Sequence, residues 1–481
     1  MDRRDRLASR HSNTVAGLNE TARMLRRAML SAGMPRSEQE AFLDWAVGSL
    51  WNTFKQQRMN QRTAIEDEIR GLGLRFPNGT VKKDYSVHFE LPVGRISDVE
   101  IDGAEELGLL LAVGDDGKCS LSGRPRKAGD FTLTLRYTTV EGEPASELPI
   151  PVAFNPDPRD LWKNIPTDPE IPYYKPDSET RYLKVEARDG GVRKDIVAAS
   201  QRGRSHAQEG KARDDHFSLY HCDASDWYII AVADGAGSAR YSRKGSEAAC
   251  RAAVDHCKAL LLDNPAFESA IREYQADRDS REKRTALTRH VIDIVYNGAM
   301  KAHEAVKKVA EANEGAKLKD FATTLMFAVC KKYDFGWFVA SFWVGDGAVC
   351  LYDERSKTVK LLGTPDEGEF SGQTRFLTMP EIFRDPEAVA KRLRMAIVPD
   401  FTALFLMTDG VSDPMFETDR NLNDYTKWEE FYARLRGGFP DDGIGGVDLS
   451  DDNEEAKDQL LRWLDFWSPG NHDDRTIAIL Y

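Results

Sequence analysis

The sequence lacks any hydrophobic run near the ~20 apolar residues that a membrane-spanning helix requires. The charged N-terminus, Met1 to Arg6, is not followed by an apolar segment, so no signal peptide is evident. The six cysteines show no C-x-x-C spacing, which argues against zinc ligands and favours reduced thiols over disulfides. We therefore expect a soluble, cytoplasmic protein.

The sequence also has fewer basic residues than acidic residues. The chain carries 79 Asp and Glu against 66 Lys and Arg, which gives a net charge of −13. This balance argues against a general binder of nucleic acids or anionic membranes. Hydrophobic residues make up 41% of the 481 positions, which is enough to bury a core, and the length predicts about three domains.

Residues 1–75 are predicted to be helical, because apolar residues recur at helical spacing in two stripes. The stripes are Val15, Leu18, Ala22, Leu25 and Leu30, then Phe42, Trp45, Ala46, Leu50, Trp51 and Phe54. The pattern favours two or three helices packed on one another. An exposed face that binds a partner is the alternative.

Residues 80–155 change to a strand-like pattern. The segment Phe131–Tyr137 alternates apolar and polar residues and follows the turn-rich segment Leu121–Gly129. This stretch resembles the small immunoglobulin-like domains of many bacterial proteins, in which an LSG-x-P segment precedes an AG-x-(F/Y)-T-L strand. The resemblance implies a small all-β domain that binds or spaces rather than catalyses.

Seven prolines between positions 151 and 176 predict a stiff extended linker at 156–185, since they sustain neither a helix nor a central strand. Beyond it, residues 186–481 mix strands and helices without regular βαβ spacing, which favours an α+β fold with antiparallel sheets. Strands are expected at 196–200, 227–233, 324–330, 337–344, 349–352, 404–407 and 476–480, and helices at 246–262, 281–312, 386–394 and 454–466.

Three apolar runs of this region end in Asp-Gly, at Asp234, Asp346 and Asp409, and the pair Asp473-Asp474 precedes the last run. A buried strand has no structural reason to end in a carboxylate, because an unpaired buried charge is costly. Glycine beside the carboxylate lets a ligand or metal approach the backbone. Strand ends that each deliver one carboxylate would form an oxygen-rich cluster that suits hard divalent cations. A metal-dependent reaction is therefore the first hypothesis.

The motifs around these carboxylates resemble, in order, those of bacterial metal-dependent protein phosphatases of the protein phosphatase 2C type. They are S-Q-R-G-R-S-H at 200–206 with R-D-D-H-F at 213–217, V-A-D-G-A-G at 232–237, A-T-T-L at 322–325, V-G-D-G-A at 344–348, M-T-D-G-V-S-D at 407–413 and D-D-R-T at 473–476. The resemblance implies a four-layer αββα sandwich with a two-metal centre for Mg²⁺ or Mn²⁺ between the sheets. It also implies hydrolysis of phosphoserine or phosphothreonine by a metal-activated water. The partner would be a phosphoprotein, such as a bacterial serine/threonine kinase or its target.

Carried over by position, the resemblance assigns Asp234 as the ligand that bridges both metals. The other metal ligands would be Asp215, the Gly235 carbonyl, Asp409 and Asp473, while Asp346 and Asp413 would help Asp409 to hold a third, weaker ion. The residues expected to take part in catalysis are Asp234, Asp409, Asp473, His206 and Arg204.

Three positions depart from the family pattern. His206 stands at the spacing of the phosphate-binding arginine, with Arg202, Arg204 and Arg213 nearby, so the phosphate-binding residue stays open. Ala236 stands where eukaryotic members have a general-acid histidine. Asp474 replaces the usual asparagine, and either a backbone hydrogen bond or direct metal ligation would suit it.

A rival function is a phosphatase-like binding or signalling module with weak or no catalysis. It is motivated by the missing arginine at its usual spacing and by the segment at 344–348, which matches the family's G-D-S-R only in its first two residues. The presence of all four core carboxylates counts against it, because these charges would be a liability without metal. An enzyme that acts on another phosphoester is a third hypothesis. The acidic stretch 441–458 is expected to be a solvated loop, the alternative being a flap near the site that favours basic phosphopeptides.

Overall fold

The computed structural model of the protein describes residues 23–92, 94–139, 144–186, 193–363, 365, 374–384 and 386–481. The chain divides into two compact units, Met1–Leu161 and Trp162–Tyr481. In this described part of the chain, no helix combines the length and apolar character needed to cross a membrane. The 3-10 helices are Glu105–Leu107, Pro158–Leu161, Leu318–Phe321, Pro380–Phe383, Asp419–Asn423 and Pro440–Asp442.

The first unit begins with helical residues 23–31 and a single long helix, α1, at Arg36–Gly71. Near its C-terminal end, Ile65 and Ile69 are buried in the core of the unit. The second predicted stripe stays largely exposed, with Trp45 65% and Trp51 54% accessible. Among the described residues the structure thus shows the exposed face and not the expected packing of helices. Val15, Leu18 and Ala22 lie outside the described residues.

Strands β1 to β7 of this unit form two sheets that share one core. They are β1 Gly79–Thr80, β2 Tyr85–Glu90, β3 Ser97–Asp102, β4 Leu109–Val113, β5 Lys118–Gly123, β6 Gly129–Thr138 and β7 Ser146–Asn155. The sheet orders are β1-β7-β6-β3 and β2-β5-β4. Tyr85 and Leu121 of the smaller sheet meet Leu135, Ile150 and Phe154 of the larger sheet in the core. This β-rich region after a helix agrees with the predicted fold class.

The proline-dense segment starts inside a strand, although it was expected to sustain no central strand. Pro149 and Pro151 lie in β7 and pair with Thr134 and Thr132 of β6. On the other side of β7, β1 reaches only Phe154 and Asn155. The two prolines therefore occupy a stretch with an open edge, where a missing N–H leaves no ladder partner unsatisfied.

The second unit contains two antiparallel sheets and the helices that cover them. Its strands are β8 Ser178–Leu183, β9 Ile196–Gln201, β10 His216–Cys222, β11 Trp227–Ala233, β12 Leu325–Tyr333, β13 Gly336–Val344, β14 Ala348–Asp353, β15 Thr358–Leu361, β16 Leu393–Val398, β17 Ala403–Met407 and β18 Arg475–Leu480. Its helices are α2 Arg204–Glu209, α3 Ser242–Leu261, α4 Pro265–Ala276, α5 Arg281–Val291, α6 Asn297–Glu311, α7 Pro386–Arg392, α8 Asp409–Phe416, α9 Tyr425–Gly437 and α10 Ala456–Trp463. A π-helical turn at Ile292–Tyr296 separates α5 from α6.

The sheets have the strand orders β10-β11-β12-β13-β16 and β15-β14-β17-β18-β9-β8. Alternate residues of β11 face opposite ways: Ile230 and Val232 join a core with the second sheet, whereas Ile229 and Ala231 join a core with α3 to α6. On the far side of the second sheet, Phe405 stacks on Trp428 of α9 with ring centroids 5.7 Å apart. The layers are therefore helix, sheet, sheet and helix, which confirms the predicted αββα sandwich.

Each strand expected in residues 196–480 is present, within three residues of its expected ends. The expected helix 281–312 is interrupted by the π-helical turn, and the helix expected at 386–394 ends at Arg392. Leu393 instead opens β16 and pairs with Phe342 of β13, so strand pairing overrides the local helical pattern. Strands β8, β10, β15 and β16 were not predicted.

Candidate metal centre

Antiparallel pairing brings the carboxylates to one end of the two sheets. In the first sheet, His216 of β10 pairs with Ala233 of β11, so Asp215 and Asp234 lie side by side just beyond the pair. In the second sheet, Met407 pairs with Ile477, which places Asp409 at the same end as the residues that precede β18. Carboxylates that follow one strand and precede its antiparallel neighbour therefore converge.

Three of these side chains form a tight group. Asp234, Asp346 and Asp409 each offer an oxygen within 4.8 Å of the others. Asp413 lies one turn after Asp409 on α8. A second group joins His206, Asp473 and Asp474 at the same spacing. The structure thus brings together the predicted acidic ligands.

Several carboxylate oxygens in this cluster are buried without a hydrogen-bond partner among the described residues. They are the Oδ1 atoms of Asp215, Asp346 and Asp409. Buried polar atoms are normally satisfied, and carboxylate oxygens are the donors that Mg²⁺ and Mn²⁺ prefer. The donor set therefore fits hard divalent cations.

The electrostatics support the same conclusion. Burial, followed by the charges of neighbouring aspartates, raises the pKa values of Asp234 and Asp409 well above the ordinary range. Burial and the charge of Asp474 raise the pKa of Asp215 to about 7. Burial and Asp346 raise the pKa of Asp413 to about 6. Without added positive charge, the cluster cannot hold its full negative charge at neutral pH.

The glycines that follow three of the aspartates are required by protein packing. A Cβ atom on Gly235 would lie 2.8 Å from the Asp214 carbonyl oxygen. On Gly347 it would lie 2.2 Å from the Met407 carbonyl, and on Gly410 1.9 Å from the Asp474 carbonyl. These glycines therefore let neighbouring backbone segments approach each other, while the expected access for a ligand or metal stays a prediction.

Threonines fix the backbone and side chains of the cluster. The Asp234 amide donates to Thr324 Oγ1 at 2.8 Å, and Thr323 Oγ1 donates to the Asp234 carbonyl at 2.8 Å. Thr408 Oγ1 donates to Asp215 Oδ2 at 2.9 Å. The A-T-T-L motif thus serves to hold Asp234 at the end of β11.

Asp474 acts as an anchor for the surrounding loops. Its Oδ1 accepts from the Gly203 amide at 2.6 Å and lies 3.0 Å from His206 Nδ1. Its Oδ2 accepts from the Asp214 amide at 2.5 Å and the Asp215 amide at 3.4 Å. Of the two roles that the sequence left open, the structure shows the hydrogen bonds to the backbone.

The four basic candidates for phosphate binding have different surroundings. His206 is buried beside Asp474, with Nε2 3.7 Å from Asp214 Oδ2. Burial alone lowers its pKa, but the charge of Asp474 outweighs that effect, and the pKa rises to about 9. Arg204 bonds Asp465 Oδ1 at 2.6 Å, and its guanidinium carbon lies 5.4 Å from the Trp467 ring centroid.

The other two arginines support neighbouring segments. Arg202 Nη2 donates to Asn164 Oδ1 at 2.6 Å, and the fully buried Arg213 bonds Glu179 Oε2 at 2.9 Å. His206 is thus the candidate that lies within the carboxylate cluster.

The acidic stretch 441–458 exposes many of its carboxylates. Asp441, Asp448, Asp451 and Asp452 are all exposed.

A separate groove of about 460 Å³ adjoins the cluster at Asp413. Its lining includes Asp413, Glu417, Arg434, Trp467 and Asn471.

The family model described as protein phosphatase 2C matches residues 202–464, more than half of the chain. The chain belongs to the protein phosphatase 2C family. The predicted class, a metal-dependent serine/threonine protein phosphatase, is thereby confirmed.

Similar solved structures include phosphatases from bacteria. One is the serine/threonine phosphatase Stp1 from Staphylococcus aureus, with 12% identity over 62% of this chain and 98% of that chain and a TM-score of 0.34. Another is PstP/Ppp from Mycobacterium tuberculosis, with 14% identity, coverage of 60% and 98%, and a TM-score of 0.33. A search of curated proteins found no match.

The match to protein phosphatase 2C does not cover all the residues of the site. Asp473 and Asp474 follow its last matched residue, and Lys175 precedes the first. Lys175 donates to the Asp215 carbonyl at 2.9 Å, a role that sequence reasoning missed. A lone lysine among prolines carries no local signal for such a contact. Thr408 lies in the motif at 407–413, but the motif gives no sign of its bond to Asp215, which is 193 residues earlier in the chain.

The raised pKa values predict how pH changes the stability of this protein phosphatase 2C without metal. Native Asp215, Asp234 and Asp409 retain protons at pH values where the unfolded chain has lost them. Their contribution is therefore present below about pH 4 and is lost as the pH rises through about 7 and beyond. We expect urea unfolding in EDTA to give a lower free energy of unfolding at about pH 8 than at about pH 5.

Mn²⁺ should reverse this trend, because protons and cations compete for the same oxygens. The added stability from Mn²⁺ should be larger at the higher pH. Equal stabilisation by Mn²⁺ at both pH values would contradict a site made of these carboxylates.

Proposed function

We propose that this cluster binds Mg²⁺ or Mn²⁺ and hydrolyses phosphoserine and phosphothreonine in proteins. The observation that carries the proposal is the set of buried, unpartnered oxygens of Asp215, Asp346 and Asp409 at the shared end of two sheets. Two ions would be held by Asp215, Asp234, the Gly235 carbonyl, Asp409 and Asp473. A third, weaker position would use Asp346, Asp409 and Asp413.

When bound, the cations would supply the positive charge that orients the phosphate, stabilises the transition state and lowers the pKa of a water. The chain's own residues hold these oxygens in place. Asp234 is fixed by Thr323 and Thr324, and Asp215 by Thr408. This pre-organisation keeps the ligands from rearranging as charge develops on the phosphate.

Among the basic candidates, we assign phosphate binding to His206. A pKa of about 9 keeps it protonated at neutral pH, and it lies beside the carboxylate cluster. Nδ1 lies 3.0 Å from Asp474 Oδ1, whereas Nε2 lies 3.7 Å from Asp214 Oδ2, beyond hydrogen-bond distance, so Nε2 is the nitrogen that would contact an anion. Arg204 is the second choice, because its guanidinium already bonds the side chain and backbone of Asp465.

The groove beside Asp413 would accommodate the peptide chain that flanks the phosphorylated residue. Asp413 and Glu417 in its lining favour basic flanking residues, while Trp467 offers apolar contact. A phosphorylated kinase or its target in the cytoplasm would be a suitable substrate. The six cysteines are all buried free thiols, which accords with a reducing compartment.

The test is hydrolysis of a phosphothreonine peptide by the full chain, with Mn²⁺ or with EDTA. A phosphotyrosine peptide of the same sequence is the matched substrate control. We expect Mn²⁺ to raise turnover of the phosphothreonine peptide by at least about 100-fold, because the cations contribute several kcal/mol to transition-state stabilisation. Binding of the peptide without metal-stimulated turnover would favour the rival function as a binding module.

A further inference from the structure

The segment Trp162–Asp177, here called the strap, precedes the family match and was expected to be part of a linker. Its backbone is instead bonded to the phosphatase unit at several points. The Ile165 amide donates to the Ala207 carbonyl at 2.8 Å, and the Arg202 amide donates to the Asp177 carbonyl at 2.7 Å. Further along, β8 pairs with β9 from Ser178 to Leu183. Residues 162–183 are thus part of the phosphatase unit.

Side chains fix the strap around the carboxylate cluster. Arg202 bonds Asn164 and Asp177 with its Nη2, at 2.6 and 3.0 Å. Arg243 Nε donates to the Pro172 carbonyl at 3.1 Å. The Tyr173 ring meets the ring of Tyr241 edge to face, with centroids 5.7 Å apart. The strap is thereby held on both sides of Lys175.

Lys175 points from the strap into the unit and is 7% exposed. Its Nζ donates to the Asp215 carbonyl at 2.9 Å and to Ser246 Oγ at 3.1 Å. Ser246 Oγ in turn donates to the Asp214 carbonyl at 2.5 Å. One ammonium group therefore reaches both carbonyls of the Asp214-Asp215 turn, directly or through a hydroxyl.

In a metal site, these hydrogen bonds would orient a ligand. Burial and the charge of Arg213 lower the pKa of Lys175 to about 7, while the charges of Asp214, Glu247 and Asp215 act in the opposite direction. Hydrogen bonds and nearby opposite charge thus offset part of the cost of burying this side chain. The carbonyl bonds fix the backbone from which the Asp215 side chain extends. Groups that orient a ligand from behind typically change metal affinity by 10–100-fold when removed.

We propose that Lys175 is a positioning residue of the metal centre. The strap inserts this side chain to hold the Asp214-Asp215 turn and so orient the Asp215 carboxylate towards the cation. The proposal rests on the function proposed above. It extends the phosphatase unit beyond the matched residues 202–464 to include the strap. Lys175 touches neither the substrate nor the reacting water, so its effect is on metal affinity.

The experiment compares Lys175→Met with Lys163→Met, a matched change at an exposed lysine of the same strap. Mn²⁺ binding to the full chain is measured by isothermal titration calorimetry and by the electron paramagnetic resonance signal of free Mn²⁺. We expect the dissociation constant to rise at least about 10-fold in Lys175→Met and to stay unchanged in Lys163→Met. At saturating Mn²⁺, the KM for p-nitrophenyl phosphate should match that of wild type.

Ser246→Ala is a second variant, which keeps the Lys175 side chain but removes the link to the Asp214 carbonyl. Ser246→Ala should weaken Mn²⁺ binding by about 3-fold or more. This variant tests the inference if circular dichroism shows that Lys175→Met does not fold. If Lys175→Met folds and binds Mn²⁺ as tightly as wild type, the inference is overturned and the proposed function is left intact. If Lys175→Met does not fold, unchanged Mn²⁺ affinity in Ser246→Ala has the same meaning. Failure of the wild-type protein to bind Mn²⁺ would refute both.

Discussion

Replacing Asp234 by asparagine should abolish metal-dependent hydrolysis and, at the same time, stabilise the protein in the absence of metal. Activity should fall on the order of 10³-fold, because a neutral amide would hold the proposed cations less well than a carboxylate, and these cations would contribute several kcal/mol to the reaction. Stability should rise in EDTA because Asp234 is buried among Asp409, Asp215 and Asp473, which repel its charge. The same carboxylate would thus serve the reaction and oppose folding.

Two measurements check this pair of effects. The first is kcat/KM for p-nitrophenyl phosphate at saturating Mn²⁺, and the second is the Tm in EDTA at about pH 8, where the cluster carries most charge. Asp441→Asn, at an exposed aspartate, is the matched control and should change neither quantity. A variant with wild-type activity, or one whose Tm in EDTA is lower than that of wild type, would contradict the assignment of Asp234.

Replacing Asp474 by alanine should lower the free energy of unfolding by about 3–5 kcal/mol, the effect of breaking a buried ion pair. The carboxylate accepts hydrogen bonds from three backbone amides and faces His206. Alanine would leave those amides buried without an acceptor, which adds desolvation cost. The Gly203 loop and the Asp214-Asp215 turn would also lose their common anchor, so activity should fall with stability.

Urea unfolding of Asp474→Ala beside Asp441→Ala tests the expected loss, since the exposed control should lie within about 0.5 kcal/mol of wild type. Burial alone would raise the pKa of Asp474, but His206 and the donated hydrogen bonds outweigh it and lower the pKa. Its stabilisation is therefore present above about pH 4, the pKa of an unfolded aspartate, and is lost as the pH falls further.

Combining Asp474→Ala with His206→Gln in a double-mutant cycle would isolate the pair. A coupling energy of zero would show that the ion pair contributes nothing to stability.

The parts of the phosphatase unit that the sequence predicted are those with a strong local pattern. β11, β17 and β18 are fully buried, so each contains a continuous apolar run with a carboxylate close to it in the sequence. A strand buried on both faces has no freedom to alternate polar and apolar residues, and the run alone identifies it. The carboxylates at the ends of these strands were recognisable for the same reason, because a buried apolar strand has no structural need for a charged residue.

The parts that the sequence did not predict depend on partners far along the chain. β10 contains Ser218 and His221, and only its pairing with β11 shows that it is a strand. The bonds of Lys175 to Asp215 and Ser246 span 40 and 71 residues. The role of Asp474 depends on Gly203, 271 residues earlier. No local window contains these pairs, so composition and spacing cannot reveal them.

The position of β18 between β17 and β9 has a consequence for how the enzyme is made. Ser200 and Thr476, whose hydroxyls lie 2.6 Å apart, are separated by 276 residues. During synthesis β9 leaves the ribosome long before its neighbour exists, and contacts of such long sequence separation form slowly. Asp473 and Asp474, which directly precede β18, are synthesised just before that strand. A nascent chain that stops before Asp473 lacks β18 and both carboxylates, so β17 and β9 each keep an open edge and the centre is incomplete until the last strand pairs.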